Sequence, residues 1–261
     1  MSAIDTSPPI LRLQGIHKAY GSLRAVDGVA FEVQTGSLTA LIGPNGAGKT
    51  TTFDLIAGAQ SYDLGDIIFN GQSLKGLAPF KVFHRGLART FQVPRPFAQM
   101  TVLENLLIAP MDQLGERFQA NWWAFSRVRA QELALQERAR GVLELCALAD
   151  KADLLAGQLS GGQQKLLELA RVLMIDPQMI LLDEPAAGVN PSLLDILMDR
   201  VQLLNARGIT FLLIEHNMEL VMRVCSRVIV MAQGRVLAQG TPEQVQEDPR
   251  VLDAYLGETP V

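Results

Sequence analysis

The sequence predicts an α/β fold with a mainly parallel sheet, on three observations. Apolar runs of strand length occur at Leu38–Ile42, Leu87–Phe91, Met179–Leu182 and Thr210–Ile214. Helical patterns separate them, and strands alternating with helices build a parallel sheet with helices on its faces. Each run is followed at once by polar or glycine-rich residues, and doubly wound sheets bind ligands beyond the carboxyl ends of their strands.

In order along the chain, Ile10–Leu13, Ala30–Val33 and Asp66–Phe69 read as strands, and Asn70-Gly71 is a tight-turn pair, so the opening portion is β-rich. Lys49 to Ala57 reads as a helix closed by Gly58. Between Gln92 and Gln158 the strand signals stop. Helical periodicity runs from Thr101, which can form a capping box with Glu104, through Arg127 to Cys146, and predicts a separate helical lobe. Ser160 caps a further helix to about Met174, with Gln163 completing a second box. Val228–Met231 and Arg235–Gln239 flank Ala232-Gln233-Gly234 as a hairpin, and Thr241-Pro242 opens a helix.

At 261 residues and 48% hydrophobic composition, the chain is long enough for one large domain with a full core. Its net charge of −4 argues against a general nucleic-acid binder, which needs a basic surface to displace counterions. Cys146 and Cys225, without metal-type spacing, fit a reducing compartment. The start, MSAIDTSPP, does not read as a signal peptide, and no stretch approaches the roughly 20 apolar residues of a membrane-spanning helix. A membrane role would come through a partner.

Gly43-Pro44-Asn45-Gly46-Ala47-Gly48-Lys49-Thr50 fits the phosphate-binding loop of P-loop NTPases, followed by Thr51. Gly43, Gly46 and Gly48 let backbone amides surround phosphate oxygens; Lys49 brings a charge to them, and Thr50 offers a hydroxyl to magnesium. The following helix turns its positive dipole end toward the anion. After the other runs come Gln92, the pair Asp183 and Glu184, and the pair Glu215 and His216. Adjacent side chains at a strand end point in different directions, so Asp183 can serve magnesium while Glu184 acts as base on the attacking water. Without the phosphate loop, such an acidic pair would merely open a loop. His216 can orient that water or contact a terminal phosphate oxygen; His17 and His84 have no such context and read as structural. Ser160-Gly161-Gly162-Gln163 is open to phosphate at a helix mouth, although serine followed by glutamine is also an ordinary capping box.

GPNGAGKT, LSGGQ, MILLDEP and His216, in this order and spacing, resemble the nucleotide-binding subunit of an ATP-binding-cassette (ABC) transporter along nearly the whole chain. The resemblance implies the ABC ATPase fold: a P-loop NTPase with a mainly parallel sheet, an N-terminal antiparallel β subdomain and an inserted α-helical subdomain. In one such domain, residues 1–91 and 175–261 would form the nucleotide-binding core and residues 92–174 the helical subdomain. The expected ligands are ATP and Mg2+. LSGGQ would complete the ATP site of an opposing subunit, making the working unit a head-to-tail homo- or heterodimer. Tyr20, in KAYGSLRAVDGV, resembles the aromatic that stacks on adenine, with a plain strand tyrosine as the alternative. Gln92, in RTFQ, resembles the glutamine that reaches magnesium and the attacking water while linking the two lobes. Asn190 stands where many cassettes carry aspartate, and it also makes a good cap for a helix beginning at Pro191.

LARTFQVPRPFAQMTVLENLLIA, DEPAAGVNP and VLDAYLGE narrow the resemblance to ATPases of branched-chain amino-acid importers and their relatives for amides and urea. Lipopolysaccharide-export ATPases share some of these traits, but the insertion from Met111 to Arg140 resembles the amino-acid group better. Its Trp122-Trp123 pair reads as closing the small helical core in preference to docking on a membrane subunit. The segment Gln92–Met100 is the expected receiver of a permease loop. The implied partners are a second ATPase subunit, integral membrane permeases and, indirectly, a solute-binding protein. The implied location is the cytoplasmic face of the plasma membrane. A soluble cassette ATPase would carry tandem cassettes or a coiled coil, and a phosphate-loop kinase or GTPase would not require LSGGQ.

Overall fold

The computed structural model of the chain describes residues 8–90, 94–110 and 125–256. The polypeptide divides into two compact units, one of residues 1–89, 178–186 and 202–261, the other of residues 90–177 and 187–201.

In the first unit, β1 (Pro9–Tyr20) and β2 (Leu23–Gln34) pair as a long antiparallel hairpin. The buried residues Leu11, Leu13 and Ile16 would not share a face in a regular strand. A register shift between Leu13 and Ile16, at Gly15 with φ 57°, turns Ile16 back to the core. β3 (Leu38–Ile42) leads through the glycine-rich loop into α1 (Lys49–Ile56). β4 (Leu64–Phe69) and β5 (Gln72–Ser73) meet across Asn70-Gly71, both with positive φ as a tight hairpin turn demands. These strands form a four-stranded antiparallel sheet in the order β2-β1-β4-β5.

α2 (Pro79–His84) precedes β6 (Leu87–Arg89), which ends short of the expected Phe91, a residue outside the described ones. The second unit holds α3 (Val102–Leu107), α4 (Phe125–Leu145) and α5 (Gly161–Leu173). The chain returns to the first unit at β7 (Met179–Asp183), then runs through α6 (Pro191–Ala206), whose first eleven residues cluster with the second unit. β8 (Thr210–Ile214), α7 (Met218–Val224), β9 (Arg227–Ala232), β10 (Arg235–Gly240), α8 (Pro242–Gln246) and α9 (Pro249–Leu256) complete it.

The six-stranded sheet has the order β10-β9-β3-β8-β7-β6, parallel except for the β9–β10 hairpin. β3, β7 and β8 are buried at every residue, as expected of parallel strands covered on both faces. Side chains from both sheets and α1, among them Leu13, Phe31, Phe53, Phe69, Leu181 and Met231, share one core.

In the second unit the expected caps are present. Thr101 and Glu104 exchange reciprocal hydrogen bonds of 2.7 and 3.1 Å at the start of α3. Fully buried Asn105 accepts from the Phe97 N–H and donates to the carbonyls of Phe97 and Thr101, pinning the loop before α3. Burial pushes the Cys146 thiol up to about 12, as it does for Cys225 in the first unit, so both stay protonated at neutral pH. Gln92 and the Trp122-Trp123 pair lie outside the described residues.

Candidate functional site

β3 delivers the chain to the phosphate loop at the carboxyl edge of the parallel sheet, flanked by β8 and β9. Two of its glycines are required by space as well as conformation. At Gly43, φ 145°, a Cβ would lie 2.0 Å from the Met231 carbonyl oxygen; at Gly48, φ 94°, it would lie 2.3 Å from that of Ala25. Gly46, φ 76°, has open space and is required only for its conformation. The loop is therefore wedged between β2 and β9, which fixes the direction of its amides.

The N-cap of α1 is Gly48, which has no side chain with which to cap the first-turn N–H groups. That is the electrostatic setting of an anion site. Buried Lys49 donates from Nζ to the carbonyls of Gly43 and Pro44, at 2.7 and 2.9 Å, which draws the ammonium across the loop.

A cavity of about 580 Å3 opens here, lined by residues 45–51 of the loop together with Tyr20, Arg24, Glu184 and His216. Its size suits a nucleotide-scale ligand. Tyr20 is 45% exposed, and the Lys18 ammonium lies 5.4 Å from its ring centroid. Its hydroxyl donates to Gln60 Oε1.

Asp183 and Glu184, adjacent at the end of β7, diverge. The Asp183 carboxylate is 7% exposed and accepts from Arg89 Nη2 at 2.8 Å. Glu184 takes φ 46°, a left-handed conformation uncommon outside glycine, while its N–H donates to the Ile214 carbonyl at 3.1 Å. The turn brings Glu184 Oε1 within 3.3 Å of His216 Nε2. A carboxylate, an imidazole and a row of helix-terminal amides thus share one cavity, the parts needed to bind phosphate and take a proton from water.

Glu215 is the functional neighbour that sequence reasoning left without a role. It is 3% exposed and accepts backbone N–H bonds from Ala186 at 2.8 Å, His216 at 3.0 Å and Asn217 at 3.3 Å. One buried carboxylate thereby ties the turn after Glu184 to the turn carrying His216. Glu215 ends the apolar run TFLLIE, a signal visible in the sequence, but the Ala186 N–H that it reaches is not.

Among the described residues no group of three or more His, Cys, Asp or Glu is placed to hold a metal ion by itself. Thr50 in the cavity lining and Asp183 at the adjoining end of β7 are hard oxygen donors, and magnesium usually combines one or two such ligands with waters and substrate phosphates. The residues present fit that mode.

Residues 160–163 do not line this cavity; they begin α5 in the second unit. Ser160 and Gln163 form the expected reciprocal box, at 3.0 and 3.4 Å. Their two glycines differ. A Cβ on Gly162 would lie 2.8 Å from Leu193 Cδ1, so this residue is kept small by packing, whereas one on exposed Gly161 would meet only the Gly188 carbonyl at 3.9 Å. Asn190 caps α6, accepting from the Leu193 N–H at 2.9 Å.

The parallel sheet, the wedged phosphate loop and the acid–histidine pair at neighbouring strand ends define a nucleotide-binding P-loop ATPase. The chain belongs to the ABC transporter family, whose family model matches residues 26–187. A second model, described as branched-chain amino acid ATP-binding cassette transporter, matches residues 235–260. The high-affinity branched-chain amino acid transport ATP-binding protein BraF of Pseudomonas aeruginosa is 42% identical over 253 residues, 97% of this chain and 99% of that one. The corresponding protein LivG of Escherichia coli is 42% identical over 254 residues, again 97% and 99%. The probable LivG of Methanocaldococcus jannaschii is 40% identical over 257 residues, 95% and 98%. Among solved structures, the ADP conformation of an ATP-binding cassette of an ABC transporter superposes with a TM-score of 0.81 at 38% identity, covering 97% of this chain and 100% of that one. A nucleotide-free cassette gives 0.83 at 39% identity, with 96% and 100% covered.

Proposed function

We propose that the chain is the ATP-hydrolysing, energy-coupling subunit of an importer for branched-chain amino acids or related polar solutes. It works at the cytoplasmic face of the membrane on integral permease subunits, with a solute-binding protein delivering cargo to them. The observation that carries the solute class is the match of residues 235–260 to the branched-chain amino acid cassette model, supported by relatives of that description along 95% or more of the chain. Among the described residues no helix is long and apolar enough to cross a membrane, in keeping with a peripheral subunit.

The geometry supports a division of labour. First-turn amides of α1 and the Lys49 ammonium bind the outer phosphates of ATP, Lys49 exchanging its loop carbonyls for phosphate oxygens. The exposed Tyr20 ring stacks on the base. Asp183, Thr50 and, by the resemblance of RTFQ, Gln92 would hold magnesium, which would supply positive charge against the phosphates. Glu184 accepts a proton from the attacking water, and His216, 3.3 Å away, orients that water and the carboxylate. Ser160, Gly161, Gly162 and Gln163 of a second subunit close the site in a head-to-tail dimer.

The test is reconstitution of the chain with its permease subunits and solute-binding protein in vesicles. ATP-dependent uptake of labelled leucine, with ATPase activity stimulated by loaded binding protein, is the expected result. Uptake of urea or an amide and none of leucine would move the assignment to that solute class.

A further inference from the structure

Arg89, the last residue of β6, bridges two carboxylates that come from different elements. Its Nη1 donates to Asp54 Oδ1 at 2.5 Å and its Nη2 to Asp183 Oδ2 at 2.8 Å. Asp54 belongs to α1, the helix that begins at the phosphate loop, and its second oxygen accepts from Gln60 Nε2 at 2.8 Å. The guanidinium packs near the Phe53 ring, 6.0 Å from centroid to Cζ, and its buried Nε meets no hydrogen-bond partner among the described residues. The two carboxylates are therefore what orients it. Burial alone would weaken its charge, but the hydrogen bonds and charges of Asp54 and Asp183 outweigh that effect and hold it firmly protonated.

A planar guanidinium bonding two acids fixes direction as well as distance. Here it engages one oxygen of Asp183 and so sets where the other points. We propose that Arg89 is a positioning residue for Asp183: anchored to α1 by Asp54, it holds the carboxylate in the orientation that presents Oδ1 to the nucleotide-bound cation. This role rests on the reading of Asp183 as a metal-holding residue. Two consequences of the bridge oppose each other. The arginine charge weakens the attraction of Asp183 for a cation, whereas the fixed orientation strengthens it. On this proposal orientation outweighs the charge; loss of the partners that orient metal ligands commonly costs about 10- to 100-fold in metal affinity.

Binding of a fluorescent ATP analogue to the full chain, first in EDTA and then across a Mg2+ titration, separates these effects without relying on turnover. In Arg89→Met, nucleotide affinity in EDTA is expected to stay at the wild-type value, because the phosphate loop is untouched. The Mg2+ midpoint for the metal-dependent gain is expected to rise about tenfold or more. Arg89→Lys should recover part of that loss. Asp54→Asn should raise the midpoint by less, and should add nothing in an Arg89→Met background, since both act through one bridge. An unchanged or lowered midpoint in Arg89→Met overturns the proposal. Should Arg89→Met fail to fold by circular dichroism, Asp54→Asn decides in its place, and an unchanged midpoint there overturns it equally. Asp183→Asn is the control: if its own midpoint matches wild type, the metal role of Asp183 fails first, a result distinct from the failure of Arg89 alone.

Discussion

Glu184 combines three properties in one residue. Its backbone is left-handed, its side chain lines a nucleotide-scale cavity, and an imidazole lies 3.3 Å away. The backbone conformation costs about 1–2 kcal/mol for a non-glycine residue. It also separates Glu184 from Asp183, whose carboxylate is bonded to Arg89 instead. Strand-end alternation and this left-handed turn together accompany the pairing of the two adjacent acids with different partners. Glu184→Gln keeps shape and backbone demand while removing the basic oxygen. Steady-state hydrolysis is expected to fall by about 10²- to 10⁴-fold, with nucleotide affinity in a direct titration unchanged. Wild-type turnover in that variant would remove Glu184 from the role of base.

At the scale of elements, how well the sequence reveals the structure depends on how local the cause is. Strand ends β3, β7 and β8 are legible because an apolar run stops at a charged or glycine residue, and the caps at Thr101, Ser160 and Thr241 because their partners lie three residues away. The outer halves of β1 and β2, around His17–Tyr20 and Leu23–Asp27, are not legible: they are mostly exposed or half-buried and stay in the sheet by backbone pairing. The Arg89 bridge is hidden for a related reason, since its partners lie 35 and 94 residues away. Gly162 is a further case, because the pattern LSGGQ suggests two glycines with one purpose while the packing against Leu193 assigns them two. Gly162→Ala is expected to lower stability by about 1–3 kcal/mol, as overpacked sites do. Gly161→Ala should melt at or above the wild-type temperature, because alanine suits a helix better than glycine and finds open space there. Thermal denaturation of the two variants side by side checks this, and equal destabilisation would contradict the distinction.

At the scale of the whole molecule, the nucleotide-sized cavity takes all its lining residues from one compact unit, while the capped mouth of α5 belongs to the other. If Ser160 serves a partner chain's nucleotide, two inactive variants can repair each other. Lys49→Ala spoils the phosphate loop of its own chain, and Ser160→Ala spoils the helix mouth. In a mixed head-to-tail dimer, one site would combine both defects, and the other would pair an intact Lys49 with an intact Ser160. Under random pairing half the dimers are mixed and half their sites are intact, so independent sites would recover about a quarter of wild-type hydrolysis. If both residues instead serve the same chain's site, every site in the mixture carries one defect and no activity returns. Mixing purified Lys49→Ala and Ser160→Ala chains and following phosphate release therefore decides between the two assemblies, with recovered hydrolysis as the expected outcome.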